Sequence, residues 1–143
     1  MAGIKLKLTP ADLAFSKCVR ERANWTCQKC GSYFPEGHRQ GLHCSHHHRR
    51  GNWSVRFHPL NAEALCYGCH SHYGGTEERM REVLSDFEYD VLVDLKNDAG
   101  LGKLYRRTKG KGDIAKHYRG ELERMQVMRD NGFTGGVEFE AWL

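Results

Sequence analysis

The sequence predicts a small α+β domain in which two short strands and a helix form a zinc-stapled core and further helices flank it. Three observations support this fold class. Two Cys-x-x-Cys motifs, at 27–30 and 66–69, bracket the centre of the chain. Short apolar stretches of strand length lie between them, and apolar residues recur at helical spacing on both sides. At 143 residues, the chain has the length of one domain.

Changes in composition divide the chain into three parts. Residues 1–24 are expected to form an N-terminal strand and helix, and residues 25–75 the zinc-stapled core. Residues 76–143 are expected to form a C-terminal helical extension that carries a basic segment.

The N-terminal helix has a strong start signal. Thr9 can cap it, Pro10 suits the first helical position, and Asp12 lies three residues after the cap. The helical pattern then continues to about Asn24. Cys18 lies on this helix outside both cysteine pairs and is interpreted as a small buried hydrophobic residue.

The core has the predicted order strand, loop, strand, helix. A short strand is expected from Gly41 to His48, a loop from Arg49 to Asn61 and a second strand from Ala62 to Leu65. A helix is expected to begin near Cys69, with a break at Gly74.

The C-terminal part is predicted to contain two helices and an aromatic tail. One helix is expected over 76–97, with an apolar stripe at Met80, Val83, Leu84, Phe87, Val91 and Leu95. A flexible connection rich in glycine should follow, and Asp113 should cap a last helix ending near Asn131. The tail, 133–142, is expected to pack back on the domain or on a second subunit of a homodimer.

The four paired cysteines predict a structural zinc site. Four thiolates make a closed tetrahedral site that leaves no position for water or substrate. The expected ligands are Cys27, Cys30, Cys66 and Cys69, and Cys44 is a fifth candidate without a partner at the same spacing. With no secretion signal evident at residues 1–8, such motifs indicate metal ligands in a reducing compartment, and we expect a cytoplasmic location.

Charge is unevenly distributed around a net value of +4. Acidic residues dominate 77–98 and basic residues dominate 103–119, which is typical either of two differently solvated helix faces or of one face for a polyanion and another turned away from it. We take the second interpretation. Nucleic acid is therefore the expected partner. No apolar run approaches the roughly 18 residues of a membrane span, so no membrane partner is expected.

A histidine-rich stretch between the two cysteine pairs supplies candidate catalytic groups. His46 and His48 should share one face of the first strand while His47 opposes them, and His70 follows the last cysteine directly. Imidazoles can hold a cation against a phosphate or take a proton from water. His38, His58 and His72 are interpreted as surface residues, and His48 as a further surface candidate.

These residues resemble the HNH endonucleases, whose fold is the ββα-metal fold, in a zinc-stapled and treble-clef-like form. The order of motifs is similar to that of the phage endonuclease VII resolvases. More narrowly, Cys44-Ser45-His46, Arg56-Phe57, Asn61 and Cys66-x-x-Cys69-His70 resemble the lambda-type Rap/NinG recombination nucleases. The resemblance covers about residues 11 to 75.

The resemblance implies a role for each matching residue. His46 matches the general base, His70 a ligand of the catalytic ion, and Asn61 the residue that braces the loop between the strands. Arg56 matches an arginine expected to contact phosphate. Ser45 stands where many HNH sites have an aspartate ligand, so the first ligand is one of His43, Ser45 and His47. In colicin nucleases two adjacent histidines divide the roles, so His46 as ligand with His47 as base is an alternative.

The expected function is metal-dependent hydrolysis of DNA phosphodiester bonds, with a structural Zn²⁺ and a catalytic Mg²⁺ or Mn²⁺. The resemblance points to a phage-encoded enzyme, in the host cytoplasm, acting on recombination or branched DNA. The alternatives are a restriction- or packaging-associated nickase and a non-catalytic zinc module that binds DNA or protein. The expected contacts to the DNA backbone are Arg49, Arg50, Lys103, Arg106, Arg107, Lys109 and Lys111.

Overall fold

The computed structural model describes residues 7–108 and 112–143, and this part of the chain forms a small α+β domain, as predicted. Two strands and six α-helices are present in it. The strand expected ahead of α1 is not present in residues 7–9, and residues 1–6 lie outside the described part of the chain. The elements are α1 (Pro10–Arg22), β1 (Leu42–His46), a 3-10 helix (Pro59–Asn61), β2 (Ala62–Cys66), α2 (Tyr67–Tyr73), α3 (Glu77–Val83), α4 (Asp86–Lys96), α5 (Ala99–Thr108) and α6 (Asp113–Asp130).

The two strands form an antiparallel pair in which Leu42 lies opposite Cys66 and His46 opposite Ala62. Helix α2 begins directly after β2, earlier than the predicted start near Cys69. The backbone of Cys66 is extended, with φ −69° and ψ 168°, and caps the helix. His70 is therefore the fourth helical residue, which places it one turn into α2.

The predicted start of α1 is confirmed. The Thr9 side chain accepts a hydrogen bond from the backbone of Asp12 at 3.2 Å, and the Asp12 carboxylate accepts one from the backbone of Thr9 at 2.8 Å. This reciprocal capping box satisfies two backbone donors that have no partner within the helix. Helix α1 ends at Arg22, and Asn24 and Trp25 then adopt left-handed backbone conformations that turn the chain toward the first cysteine pair.

The main core joins the two ends of the chain. Helix α1 packs on α6, and the Phe15 ring lies 5.2 Å from Tyr118 and 5.7 Å from Phe139 of the tail. The tail thus packs back on the domain, as one of the two predicted alternatives had it. Cys18 is buried here and its thiol donates to the Tyr118 carbonyl at 3.3 Å.

The single helix predicted over 76–97 is instead two helices. Ser85 is the N-cap of α4 and forms a capping box with Glu88, so the chain turns between α3 and α4. This turn also breaks the predicted apolar stripe. Met80, Leu84 and Leu92 are buried with Val55, but 77% of the Phe87 side chain is exposed.

The glycine-rich connection predicted after residue 99 is instead helix α5 up to Thr108. Tertiary packing outweighs the low helix propensity of Gly100 and Gly102. Tyr105 is buried, with its ring 6.0 Å from Phe57 and 5.3 Å from Trp142. The N-cap of α6 is Gly112 and not Asp113, since α6 begins at Asp113 and Gly112 has φ 79°.

No helix within residues 7–108 and 112–143 has the length and apolar character that crossing a bilayer requires.

Candidate functional site

The four paired cysteines come together, as predicted. Their sulfur atoms all lie within 4.8 Å of one another, and the Sγ atoms of Cys30 and Cys66 are 3.9 Å apart. A tetrahedral zinc ion with Zn–S bonds of about 2.3 Å requires sulfur–sulfur separations near 3.8 Å. The four cysteines therefore fit a single structural metal ion such as zinc.

The local backbone structure directs the sulfur atoms of both cysteine pairs toward one point. Gly31 has φ 76°, and its backbone donates to the Cys27 carbonyl, which closes the turn of the first pair. The second pair lies where β2 passes into α2. Hydrogen bonding to Ser32 lowers the pKa of the Cys30 thiol to about 6. The thiolate, which is the metal-binding form, is thus favoured at neutral pH for Cys30, whereas burial and the neighbouring cysteines raise the pKa of the Cys69 thiol to about 12.

A second group of donors lies between the hairpin and α2. The Nδ1 atoms of His43 and His70 are 2.9 Å apart and their rings are nearly perpendicular. Both nitrogens therefore point at the same place. One can donate to the other, or both can present lone pairs to a cation. Burial lowers the pKa of His70, which favours its neutral, ligand-competent form.

Ser45 faces the same helix. A Cβ atom at Gly74 would lie 2.3 Å from the His70 ring and 3.0 Å from Ser45 Oγ, so only glycine permits this approach of α2 to β1. The Ser45 hydroxyl is buried and has no hydrogen-bond partner in the described part of the chain. The structure thus brings together His43, Ser45 and His70, three of the four sequence-derived candidates for the catalytic ion. Within residues 7–108 and 112–143, however, only the cysteines form a group of three or more Cys, His, Asp or Glu donors within 4.8 Å.

His46 points toward α1, on the opposite side of the strand. Its ring lies 5.9 Å from Phe15, and its Nε2 is 3.0 Å from the carbonyl oxygen of Arg56. A carbonyl only accepts, so Nε2 carries the proton and Nδ1 keeps a lone pair. Burial lowers the pKa of His46 to about 4, and the ring is neutral at pH 7. A neutral imidazole with a free Nδ1 lone pair can accept a proton, although a pKa of about 4 makes it a weaker base than one whose pKa lies near 7.

The His47 side chain is buried. Neither of its ring nitrogens has a partner among the described residues, and burial lowers its pKa to about 4. Its backbone N–H donates to Asn61 at 2.8 Å. A buried imidazole without partners is costly unless a bound water or ion satisfies it, so His47 remains a candidate for either role.

Asn61 is fully buried and its side chain braces the loop between the strands. Its amide nitrogen donates to the carbonyls of His48 and Val55 at 3.0 and 3.1 Å, and its amide oxygen accepts from the backbone of His48 at 2.8 Å. These bonds tie both ends of the loop together. Asn61 therefore holds the loop and does not face the groove.

The phosphate contact expected of Arg56 is not what the structure shows. The sequence assigned it to a phosphate contact, but its side chain is 1% exposed and forms a bidentate pair with Asp12 at 2.9 and 2.7 Å. Its guanidinium also lies 4.2 Å from the centre of the Trp53 ring. Burial alone would raise the pKa of Asp12, but hydrogen bonds from Arg56 and Thr9 outweigh it and the net pKa is lowered. Arg56 instead contributes its backbone carbonyl, which orients His46.

An open groove of about 1060 Å³ runs past these side chains. His43, His46, His47 and His70 line it, together with Arg49 and Arg50 of the loop after β1. The sequence did not single out Arg20, which also lines the groove. The sequence did contain a signal that Arg20 faces the same side as Asp12 and Ser16, because these polar residues recur every four positions on one face of α1.

Basic residues of α5 form a separate exposed surface. Lys103, Arg106 and Arg107 are all exposed, and none of them lines the groove. Lys109 and Lys111 lie outside the described residues. His58 is not a simple surface residue, because its Nδ1 accepts from the backbone of Leu60 at 3.1 Å and caps the 3-10 helix.

No protein-family model matches the chain, and no curated protein or solved structure matches it. The likeness to HNH nucleases therefore rests on the sequence motifs alone.

Proposed function

We propose that the chain is a metal-dependent DNA endonuclease of the HNH type. One observation carries this proposal most directly. Two imidazole nitrogens, from His43 and His70, converge at 2.9 Å beside an open groove that His46 also lines, and His46 is held as a neutral tautomer. Metal-assisted phosphodiester hydrolysis requires ion ligands and a base that open on the same substrate groove, and His43, His70 and His46 all line this one.

Residues on the two sides of β1 would have different roles in catalysis. His43 and His70, with Ser45 close by, would hold the catalytic ion, which supplies stabilisation of the charge that develops on the phosphate. His46 would accept a proton from water at Nδ1, because its Nε2 is occupied by the Arg56 carbonyl. The Asp12–Arg56 pair would keep that carbonyl in place. His47 is the alternative base.

The donor set bears on the identity of the catalytic ion. Imidazole suits first-row transition metals, whereas Mg²⁺ prefers carboxylate, carbonyl and water oxygens. No carboxylate accompanies His43 and His70 in the described residues. Between the two ions that the sequence suggested, Mn²⁺ is therefore the better fit, and Zn²⁺ or Ni²⁺ should also support activity.

Charge favours DNA as the substrate. Arg20, Arg49 and Arg50 line the groove, and the exposed basic face of α5 offers further phosphate contacts. The resemblance to Rap/NinG nucleases and endonuclease VII adds a phage origin and recombination or branched intermediates to the proposal. A restriction- or packaging-associated nickase would use the same residues.

A nuclease assay with the catalytic ion removed and restored tests this function. Brief dialysis against a weak chelator should abolish plasmid cleavage while the four-cysteine zinc is retained, as metal analysis would verify. Mn²⁺ should restore cleavage more effectively than Mg²⁺ at equal concentration. Absence of cleavage with every divalent ion would leave the second candidate function, a non-catalytic zinc module, which the four-cysteine cluster alone supports.

A further inference from the structure

We infer that Tyr67 is a stacking platform for an unpaired nucleobase, so that the groove selects DNA with an unpaired nucleotide beside the scissile phosphate. This inference rests on the proposed function and specifies its substrate. Tyr67 is the first residue of α2 and is 62% exposed. Its ring lies 6.1 Å from that of His43 in an edge-on arrangement. An exposed aromatic ring thus stands directly beside the His43–His70 pair.

The backbone at Tyr67 is held on both sides. Tyr67 lies between Cys66 and Cys69, both of which belong to the four-cysteine cluster. It also directly follows β2, whose last residue pairs with Leu42. A ring presented from a fixed backbone loses little conformational entropy on contact, because only two side-chain torsions remain. No hydrogen-bonding partner within the described residues engages the Tyr67 hydroxyl, so the ring is not needed for a polar contact in the fold.

The structure of DNA limits which bases the Tyr67 ring can contact. In a duplex, both faces of each base are covered by stacked neighbours, and successive nucleotides rise about 3.4 Å along a strand. A nucleotide whose phosphate lies at the ion held by His43 and His70 carries its base one sugar away, within reach of a ring 6.1 Å from His43. The ring can cover a base face only where that base is unpaired or turned out of the stack. Stacking of this kind tolerates any base, so it reads DNA structure and not sequence.

Tyr67 does not itself line the groove but stands against His43, which does, so a strand leaving the groove at His43 would pass the ring. Arg49 is exposed and Arg50 half-buried, and both line the groove that contains His43 and His70. A basic track with an aromatic platform is the usual combination in proteins that bind unpaired strands. The exposed Phe87 on α4 offers a contrast, because its neighbours Asp86 and Glu88 would repel a phosphate backbone.

The test compares two labelled DNAs of the same sequence, one fully paired and one with a short unpaired stretch in its centre. Binding is measured by fluorescence anisotropy without added divalent ion, for the wild type and for Tyr67→Phe, Tyr67→Ala and Phe87→Ala. Tyr67→Ala should weaken binding of the unpaired DNA by about 5- to 150-fold and leave the paired duplex within about 2-fold. Tyr67→Phe and Phe87→Ala should bind both DNAs as the wild type does.

Equal affinity of wild type and Tyr67→Ala for the unpaired DNA would overturn the inference, as would an equal loss on both DNAs. If Tyr67→Ala fails to retain zinc, Tyr67→Leu decides, because leucine keeps apolar bulk without an aromatic face and should show the same selective loss. Cleavage of both DNAs with Mn²⁺ present is scored separately. Failure of the wild type to cut either DNA would refute the nuclease proposal, whereas the stacking role is judged by binding alone.

Discussion

At the scale of single residues, the buried pair of Asp12 and Arg56 links the fold to the groove. Both side chains are at most 5% exposed, and the Arg56 carbonyl orients His46. The sequence indicated Arg56 as important but not its partner, because Asp12 was already explained as a helix-capping residue. Only the tertiary structure shows that one carboxylate serves both the Thr9 cap and the Arg56 guanidinium.

Removing the Asp12 charge should destabilise the protein strongly. Asp12→Asn leaves the Arg56 guanidinium buried without its counter-ion, which typically costs about 3–5 kcal/mol. Because the pKa of Asp12 is lowered on folding, its contribution is present above the unfolded value of about 3.9 and is lost as the pH falls through the folded pKa. Urea unfolding at pH 7 should show the full difference from the wild type, and the difference should shrink in more acidic buffer. Glu77→Gln is the matched control, since the contacts of Glu77 with Arg81 and Tyr89 are exposed to solvent and should contribute little to stability.

His70→Ala should weaken binding of the catalytic ion without removing the base. The half-maximal Mn²⁺ concentration for cleavage should therefore rise, and a high concentration should partly restore the rate. His72→Ala, on the exposed side of the same helix, should leave the metal dependence unchanged. A loss of activity in His70→Ala that no metal concentration relieves would contradict a ligand role for His70.

At the scale of elements, local signals predicted the starts of helices well and their continuity poorly. The capping box at Thr9 was evident because its residues are adjacent in sequence. Ser85 and Glu88 carry the same signal, but the apolar stripe on either side favoured one continuous helix. Helix α5 was missed for the opposite reason. Four glycines, at positions 100, 102, 110 and 112, predicted a flexible segment. Tyr105 gains enough burial against Phe57 and Trp142 to hold the helix over the first two of them.

The exposed face of α5 should contribute phosphate contacts. Changing Lys103, Arg106 and Arg107 together to glutamine should weaken DNA binding for all sequences. The slope of log affinity against log salt should fall by about 1 for each lost contact. Arg119→Gln, an exposed change on α6, serves as the control. An unchanged slope would indicate that the DNA backbone contacts Arg49 and Arg50 and not α5.

At the scale of the whole molecule, aromatic packing holds the main core, and a metal ion in the four-cysteine cluster would hold the hairpin and α2. The main core unites α1, α6 and the tail through Phe15, Tyr118 and Phe139, and these contacts span most of the chain. No pattern within a short window of sequence could predict them. The cysteine cluster was predictable, because a metal site requires ligands of a fixed type at a fixed spacing. The positions of His43, Ser45 and His46 were only partly predictable. Strand alternation predicts which of them share a face of β1, but it does not predict which helix packs against that face.

Zinc should be required for the central part of the fold. The purified protein should contain about one zinc ion per chain, and Cys27→Ala should lose it, because metal binding supplies on the order of 10 kcal/mol of folding free energy. Circular dichroism and metal analysis of the variant check this, with Cys44→Ala as the control outside the cluster. Folded protein that contains no zinc would contradict the structural role of the cluster.

The most direct test of the nuclease proposal is the plasmid cleavage rate of His46→Ala in Mn²⁺, with zinc content and DNA affinity measured on the same preparation. Loss of a positioned base should lower the rate by about 10²- to 10⁴-fold, while zinc and DNA binding remain at wild-type levels. If His46→Ala cuts normally and His47→Ala does not, the base is His47 and the roles of the two residues are exchanged. Cleavage at the wild-type rate by both variants would contradict catalysis by this groove.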